Sequence, residues 1–216
     1  MKTLEVPFVP GLGSRSDAEL PAALEASGSR FYVDQANWPD EFGYRPVCAG
    51  NIARCEDGLA IRFHVQGLDL RAQNLGDNGR QWEDSCCEFF VLEPDGGRYF
   101  NFEVNCIGHI LGASGEGRHE RVRQSLTDLG RIRRVTSLPV QAYDEAGTLR
   151  SWDITVIIPF ALFGADAACP PKTLRANFYK CGDNTAHPHF LSWSPIGTPR
   201  PDFHRPEFFG ELILLP

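Results

Sequence analysis

The stretch QWEDSCCEFFVLEPDGGRYFNFEVNCIGH, residues 81–109, decides the fold. Its two apolar runs are separated by the turn sequence PDGG, and that arrangement predicts a β-hairpin. Because strand side chains alternate between faces, Phe100, Phe102 and Val104 share one face of the second strand. The other face carries the polar residues Asn101, Glu103 and Asn105. A row of amides and carboxylates on a sheet face can hold sugar hydroxyls, so the hairpin indicates a binding surface.

Short strands bounded by turn residues dominate the rest of the chain. Their pattern, with roughly eight to ten strands, predicts an all-β fold, an antiparallel β-sandwich with short peripheral helices. A capping box at Ser16 predicts one helix through about residue 26, and residues 120–129 predict another that ends before Gly130. We expect residues 1–30 to form an N-terminal extension and residues 31–216 to form a single sandwich domain.

Composition excludes several classes of function. The net charge of −7 gives no basic surface for nucleic acid. No apolar run approaches the ~18 residues of a membrane span, so no membrane partner is expected. The first residues, MKTLEVPFVPGLG, show no signal peptide, and the seven cysteines include no CxxC pair. A cytoplasmic protein with free, buried thiols is therefore predicted.

Two parts of the sequence resemble a known family. The stretch WEDSCCEFF, residues 82–90, resembles the core of carbohydrate-binding module family 9 domains, which belong to the DOMON-like superfamily. Residues 177–195 and 201–210 look like free-standing bacterial proteins of the same kind. The resemblance covers about residues 30–216. It implies an immunoglobulin-like sandwich that holds a mono- or oligosaccharide between two tryptophans, as family 9 modules hold the reducing ends of glucan and xylan chains.

The resemblance also implies roles for individual residues. Trp82 would form the first aromatic wall, Glu88 would accept hydroxyl hydrogen bonds, and Trp193 would form the second wall. From the residues themselves, Glu88 interrupts an apolar strand and needs donors, for which Arg175 is a candidate. Strand interiors disfavour asparagine, so we expect Asn101, Asn105 and Asn177, which lie in predicted strands, to form hydrogen bonds. The predicted ligand-binding set is Trp82, Glu88, Asn101, Glu103, Asn105, Arg175, Asn177 and Trp193.

Other interpretations remain open at this point. By burial habits alone, Trp82 is a core residue, and Trp193 is balanced between core and site. Glu88 and Arg175 could form a purely structural ion pair. A hydrolase could use Glu88 and Glu103 as its acid and nucleophile. An interaction module could have kept the fold and lost the sugar site.

No metal ligand is assigned from the sequence. Some family 9 modules carry calcium, and the pairs Asp77-Asn78 and Asp183-Asn184 could donate oxygens to it, although turn formation explains them as well. The histidines at 187, 189 and 204 with Cys181 match no standard zinc spacing. A haem held by methionine and histidine is not expected, because the sole methionine is Met1.

Overall fold

The computed structural model describes residues 1–216 and contains sixteen strands and two short helices. The helices are α1 (Leu20–Ser27) and α2 (Leu126–Leu129). The strands, in chain order, are β1 (Thr3–Val6), β2 (Ser29–Tyr32), β3 (Gln35–Ala36), β4 (Val47–Arg54), β5 (Gly58–Gly67), β6 (Leu70–Ala72), β7 (Cys86–Leu92), β8 (Tyr99–Asn105), β9 (Ile110–Gly115), β10 (Val122–Arg123), β11 (Arg133–Thr136), β12 (Tyr143–Glu145), β13 (Arg150–Pro159), β14 (Thr173–Cys181), β15 (Phe190–Ser192) and β16 (Gly210–Leu214).

Two sheets pack face to face. The first has the order β1-β16-β14-β7-β8-β9-β10, and β15 joins it beside the C-terminal end of β14, with β3 beyond. The second has the order β11-β13-β5-β4-β2, and β6 and β12 form a separate ribbon. Every strand pair is antiparallel except β1 with β16. The predicted antiparallel β-sandwich is confirmed.

Strand alternation supplies the core between the sheets. Phe89 of β7, Phe102 of β8 and Phe178 of β14 point inward from the first sheet and are at most 2% exposed. Phe31 of the second sheet stacks on Phe178 with ring centroids 4.0 Å apart. Trp152 lies in the same core. Burying such side chains stabilises the fold by roughly 1.5–3 kcal/mol each.

The outer face of the first sheet is partly covered by loops. The segment between β15 and β16 lies over it, and Phe203 of that segment stacks on Tyr179 with centroids 4.2 Å apart. Trp38 packs against Phe203 and donates its indole N–H to the carbonyl oxygen of Thr198. These loops leave a groove over β7, β8 and the end of β14.

Two local predictions differ from the structure. Residues 120–129 do not form one helix, because Val122 and Arg123 pair with β9 and leave only α2 after them, capped by the Ser125 side chain. Helix α1 begins at Leu20 and not beside Ser16. The Ser16 hydroxyl bonds the Glu19 carboxylate instead of a backbone amide of the helix.

The N-terminal 30 residues pack onto the sandwich. Strand β1 pairs in parallel with β16, and Leu20 and Leu24 of α1 are fully buried. A domain boundary near residue 30 stays a prediction. None of the helices has the length and apolar character needed to cross a membrane.

Candidate functional site

A groove of about 430 Å³ lies on the outer face of the first sheet. Four of the eight predicted ligand-binding residues line it: Trp82, Glu88, Asn101 and Glu103. It is also lined by residues that were not predicted, namely Leu111, Ala113, Arg118, His119, Arg121, Arg123, Cys181, Asp183, Phe190, Pro201, Asp202, Phe203 and His204. Its volume falls in the range of pockets for small ligands.

Two carboxyl groups form the floor of the groove. Glu88 and Glu103 are directly opposite each other on β7 and β8, and they are 2% and 4% exposed. Glu88 Oε1 accepts a hydrogen bond from the Cys181 thiol at 3.0 Å, and Glu103 Oε1 accepts one from Asn101 Nδ2 at 2.8 Å. Glu103 Oε2 has no hydrogen-bond partner in the protein. A buried oxygen of this kind, on the floor of a groove, is suited to a ligand hydroxyl.

The environment favours protonation of these carboxyl groups. Burial raises the pKa of Glu88 well above its ordinary range, and the neighbouring Glu103 raises it further. Burial also raises the pKa of Glu103 to about 7, although the Asn101 hydrogen bond and the Arg121 charge oppose the rise. Burial and the charge of Glu83 raise the pKa of Asp183 to about 6. Near neutral pH the floor therefore offers both donors and acceptors, which matches the needs of hydroxyl groups.

Arg121 fixes the amide beside the carboxyl pair. Its Nε donates to Asn101 Oδ1 at 2.9 Å, and its Nη2 donates to the same oxygen and to the Tyr99 carbonyl. The guanidinium lies 4.1 Å from the centre of the Tyr99 ring. With its oxygen held in this way, Asn101 directs its NH₂ group toward Glu103. Arg121 is not among the predicted site residues, because the sequence predicts a helix over residues 120–129. The basic run RHERVR, residues 118–123, follows a glycine-rich stretch and is the feature of the sequence that could have indicated a site residue here.

Trp82 supplies an aromatic wall. It lies in a 3-10 turn, Gln81–Glu83, just before β7, and is half-buried. Its carbonyl oxygen accepts the amide of Asp183 at 3.0 Å, which ties this turn to the end of β14. Phe190 and Phe203 also line the groove, with their rings 6.1 Å apart. Aromatic surface is therefore available to a ligand from more than one element.

His204 completes the groove lining near Tyr99. Its Nδ1 lies 3.0 Å from the Tyr99 hydroxyl. Burial lowers the pKa of His204 to about 3, and the charges of Arg121 and Arg118 contribute. The ring is therefore neutral at physiological pH.

Trp193 lies in the core, which corrects the prediction that it forms the second wall. It is 4% exposed and makes an edge contact with Phe178, with centroids 5.5 Å apart. The backbone amide of Trp193 donates to the carbonyl oxygen of Phe178, so the chain still runs alongside β14 just after β15. In this position the indole of Trp193 packs in the core between the two sheets. Gly210 lies against the indole, and a Cβ there would approach it to 2.4 Å.

Asn105 and Asn177 make the hydrogen bonds expected of strand asparagines, but not toward the groove. Asn105 Nδ2 donates to the Asn74 carbonyl and to Asp84 Oδ2, both at 3.0 Å. Asn177 bonds both the N–H and the C=O of Ser194, at 2.8 and 3.0 Å. Both side chains are fully buried and hold loops against the sheet. The prediction that they contact ligand is corrected accordingly.

Arg175 also lies outside the groove. Its Nη2 donates to the carbonyl oxygens of Pro206, Glu207 and Phe209. It is therefore neither a groove residue nor the ion-pair partner of Glu88. Its guanidinium holds the loop before β16.

The carboxylates of the Asp-Asn pairs considered for calcium belong to no cluster of three or more metal-ligating side chains. Asp77 accepts two hydrogen bonds from Arg134 at 2.7 and 2.9 Å and one from the Ile110 amide at 3.0 Å. Asp183 lines the groove, but it belongs to no converging set of donors, whereas calcium takes 6–8 oxygens. The histidines do not converge either: His187 bonds Asp69, and His189 bonds Lys180. The donors that do converge are Cys86, Glu88 and Cys181.

Comparison with known proteins gives a consistent picture. The family model described as carbohydrate-binding family 9 matches residues 18–214. A solved protein from Bacteroides uniformis ATCC 8492, to which carbohydrate binding is attributed, is 37% identical with a TM-score of 0.91, and the match covers 99% of both chains. No curated protein matches.

Two more distant structures share the fold. Both are family 9 modules from Caldicellulosiruptor kristjanssonii, solved with glucose and with cellotriose. They are 12% and 11% identical, with TM-scores of 0.58 and 0.59. Each match covers 99% of this chain, and 96% and 93% of the respective module. The predicted resemblance to carbohydrate-binding family 9 is confirmed by the family model and by the Bacteroides uniformis protein.

Proposed function

Because the chain belongs to carbohydrate-binding family 9, we propose that the groove over β7 and β8 binds a mono- or oligosaccharide without changing it. The observation that carries this proposal is the carboxyl pair Glu88–Glu103, buried under a groove that Trp82 also lines. Sugar hydroxyls bond to a floor that both donates and accepts, while an apolar sugar face stacks on the indole.

A glucose unit or the end of a short glucan chain is the ligand that we propose. The distant family 9 modules were solved with glucose and cellotriose. The groove volume of about 430 Å³ suits one or a few sugar rings. A missing hydroxyl would leave Glu103 Oε2 without a partner, and this gives the site selectivity.

Hydrolysis is the second candidate, because Glu103 has its pKa raised to about 7, as a general acid requires. Its position argues against that role. In glycosidases the two carboxyl groups flank the scissile bond. Glu88 and Glu103 are cross-strand neighbours on one floor, so a sugar above them meets both from the same side. This arrangement favours binding over cleavage.

Calorimetric titration with glucose and with cellotriose tests the proposal, together with chromatography of each mixture to detect cleavage. We expect saturable binding with the sugar recovered intact. Trp82→Ala should weaken binding by about 2 kcal/mol, or roughly 30-fold, because a stacking surface is lost.

The matched control is Tyr32→Ala, which removes an exposed aromatic ring of the second sheet. This variant should bind like the parent. Absence of heat with both sugars would overturn the saccharide proposal, and consumption of cellotriose would replace it with the hydrolase. Equal affinity of the two variants would remove Trp82 from the site.

A further inference from the structure

A second set of donor atoms lies at the end of the groove floor. Cys86 of β7 and Cys181 of β14 are directly opposite each other across the strand pair. Glu88 follows Cys86 by two residues and so shares its face. One ligand atom from each of the three residues lies within 4.8 Å of the others, and none of the side chains is more than 2% exposed.

The register of the sheet brings this cluster together. Cys87, next to Cys86, points to the opposite face and joins the core between the sheets. The pairing of β7 with β14 places Cys181 beside Cys86, although the two cysteines are 95 residues apart in the sequence. Both cysteines lie in segments that carry the family resemblance, residues 82–90 and 177–195. Saccharide binding uses Glu88 but leaves both thiols without a role.

We propose that Cys86, Cys181 and Glu88 bind one divalent cation of the zinc class. Two sulfurs and one carboxylate oxygen form a ligand set that favours Zn²⁺ or Cd²⁺ and disfavours Ca²⁺ and Mg²⁺, which take oxygen ligands. Zinc is bound tetrahedrally, and three protein ligands leave a fourth position for water or a ligand.

The contacts in the cluster support this assignment. The Cys181 thiol donates its hydrogen to Glu88 Oε1 over 3.0 Å, so one proton already bridges a sulfur and an oxygen where a cation would bridge them. On binding, the cation replaces the hydrogens of the two thiols and the carboxyl proton of Glu88; these protons leave to solvent, and no electron is transferred.

The groove provides the entry path and the fourth coordination position. Cys181 and Glu88 both line it, and Cys86 lies next to Cys181 on the neighbouring strand. A cation here would therefore contact the same space that the proposed saccharide occupies.

Titration of the reduced full-length chain with Cd²⁺ alone tests the site, because thiolate–cadmium bonds give a charge-transfer band in the ultraviolet. We expect the band to saturate at one equivalent, Zn²⁺ to compete, and Ca²⁺ to have no effect. Cys86→Ser and Cys181→Ser should each weaken Cd²⁺ binding at least about tenfold. The matched controls are Cys169→Ser, an exposed thiol, and Cys55→Ser, a buried thiol of another cluster. Both should bind like the parent.

A band that survives in both Cys86→Ser and Cys181→Ser, or the lack of any band, would overturn the assignment. Circular dichroism checks that the variants fold. If a serine variant fails to fold, Glu88→Gln gives an independent test, because it keeps both thiols and should still lose about 10–100-fold in affinity. Unchanged affinity in Glu88→Gln would equally refute the three-ligand site. These titrations contain no sugar, so their outcome is separate from that of the saccharide proposal.

Discussion

Replacing Glu103 with glutamine should stabilise the protein above neutral pH and leave it little changed in mild acid. Burial raises the pKa of Glu103 from an ordinary 4.5 to about 7 in the folded protein. The unfolded chain therefore releases this proton above about pH 4.5, and the folded protein releases it only near pH 7. Unfolding releases a proton between these values, so stability falls as pH rises through this window. Glutamine carries no such proton and does not contribute to that loss.

The size of the effect follows from the pKa difference. A difference of about 2.5 at 1.36 kcal/mol per pKa unit corresponds to about 3 kcal/mol, most of which falls between pH 5 and pH 8. Because Glu103 is only 4% exposed, solvent screening reduces this figure little. The amide oxygen of glutamine can still accept the hydrogen bond from Asn101.

Urea unfolding of the parent and of Glu103→Gln at pH 5 and pH 8 measures this quantity directly. We expect the free energy of unfolding of the parent to fall between the two pH values by about 2–3 kcal/mol more than that of the variant. Glu116→Gln, which changes an exposed glutamate directly after β9, serves as the control and should keep the parent's pH dependence. Identical pH dependence in the parent and Glu103→Gln would refute the claim that a buried, protonated carboxyl lies on the groove floor.

Three further predictions concern other residues. His204→Gln should reduce acid sensitivity. The folded pKa of His204, about 3, lies below the ordinary 6.5, so the parent should lose about 3 kcal/mol of stability between pH 7 and pH 4 in urea unfolding, and the variant should lose less. Trp193→Ala should lower stability by about 3–5 kcal/mol in thermal unfolding, while the folded fraction keeps its sugar affinity. Arg121→Gln should weaken sugar binding about tenfold in calorimetry, because Asn101 loses its charged donor; unchanged affinity would argue against that role.

The sandwich and the floor of the groove could be predicted because their signals are local. Side-chain alternation in residues 99–105 determines which residues lie on each face of β8, and this does not depend on which strands lie beside it. The same alternation places Glu103 on the outer face beside Asn101. The pairing of Glu88 with Glu103 follows from a short hairpin, whose register is fixed by its turn.

The rest of the site depends on contacts between distant segments. An asparagine in a strand shows that a hydrogen bond must form, but only the approach of the loop at Ser194 decides that Asn177 bonds a backbone and not a sugar. Trp193 is a similar case, since its direction follows from the pairing of its amide with β14. Arg121 was missed because the apolar and charged spacing of residues 120–129 suits a helix, whereas pairing with β9 makes its first part a strand.

The carboxyl pair is better explained by a ligand than by the fold. Two buried carboxyl groups side by side disfavour folding unless charges or donors satisfy them. Arg175 is within the same sheet, yet it bonds the loop before β16, and Glu103 Oε2 has no partner. If the pair had only a structural role, an arginine bonded to it would offset the cost of burying two carboxyl groups. Apolar residues of similar size in their place would avoid that cost. A variant that gains stability at pH 8 and loses saccharide affinity would therefore show that Glu103 is retained for binding at the expense of stability.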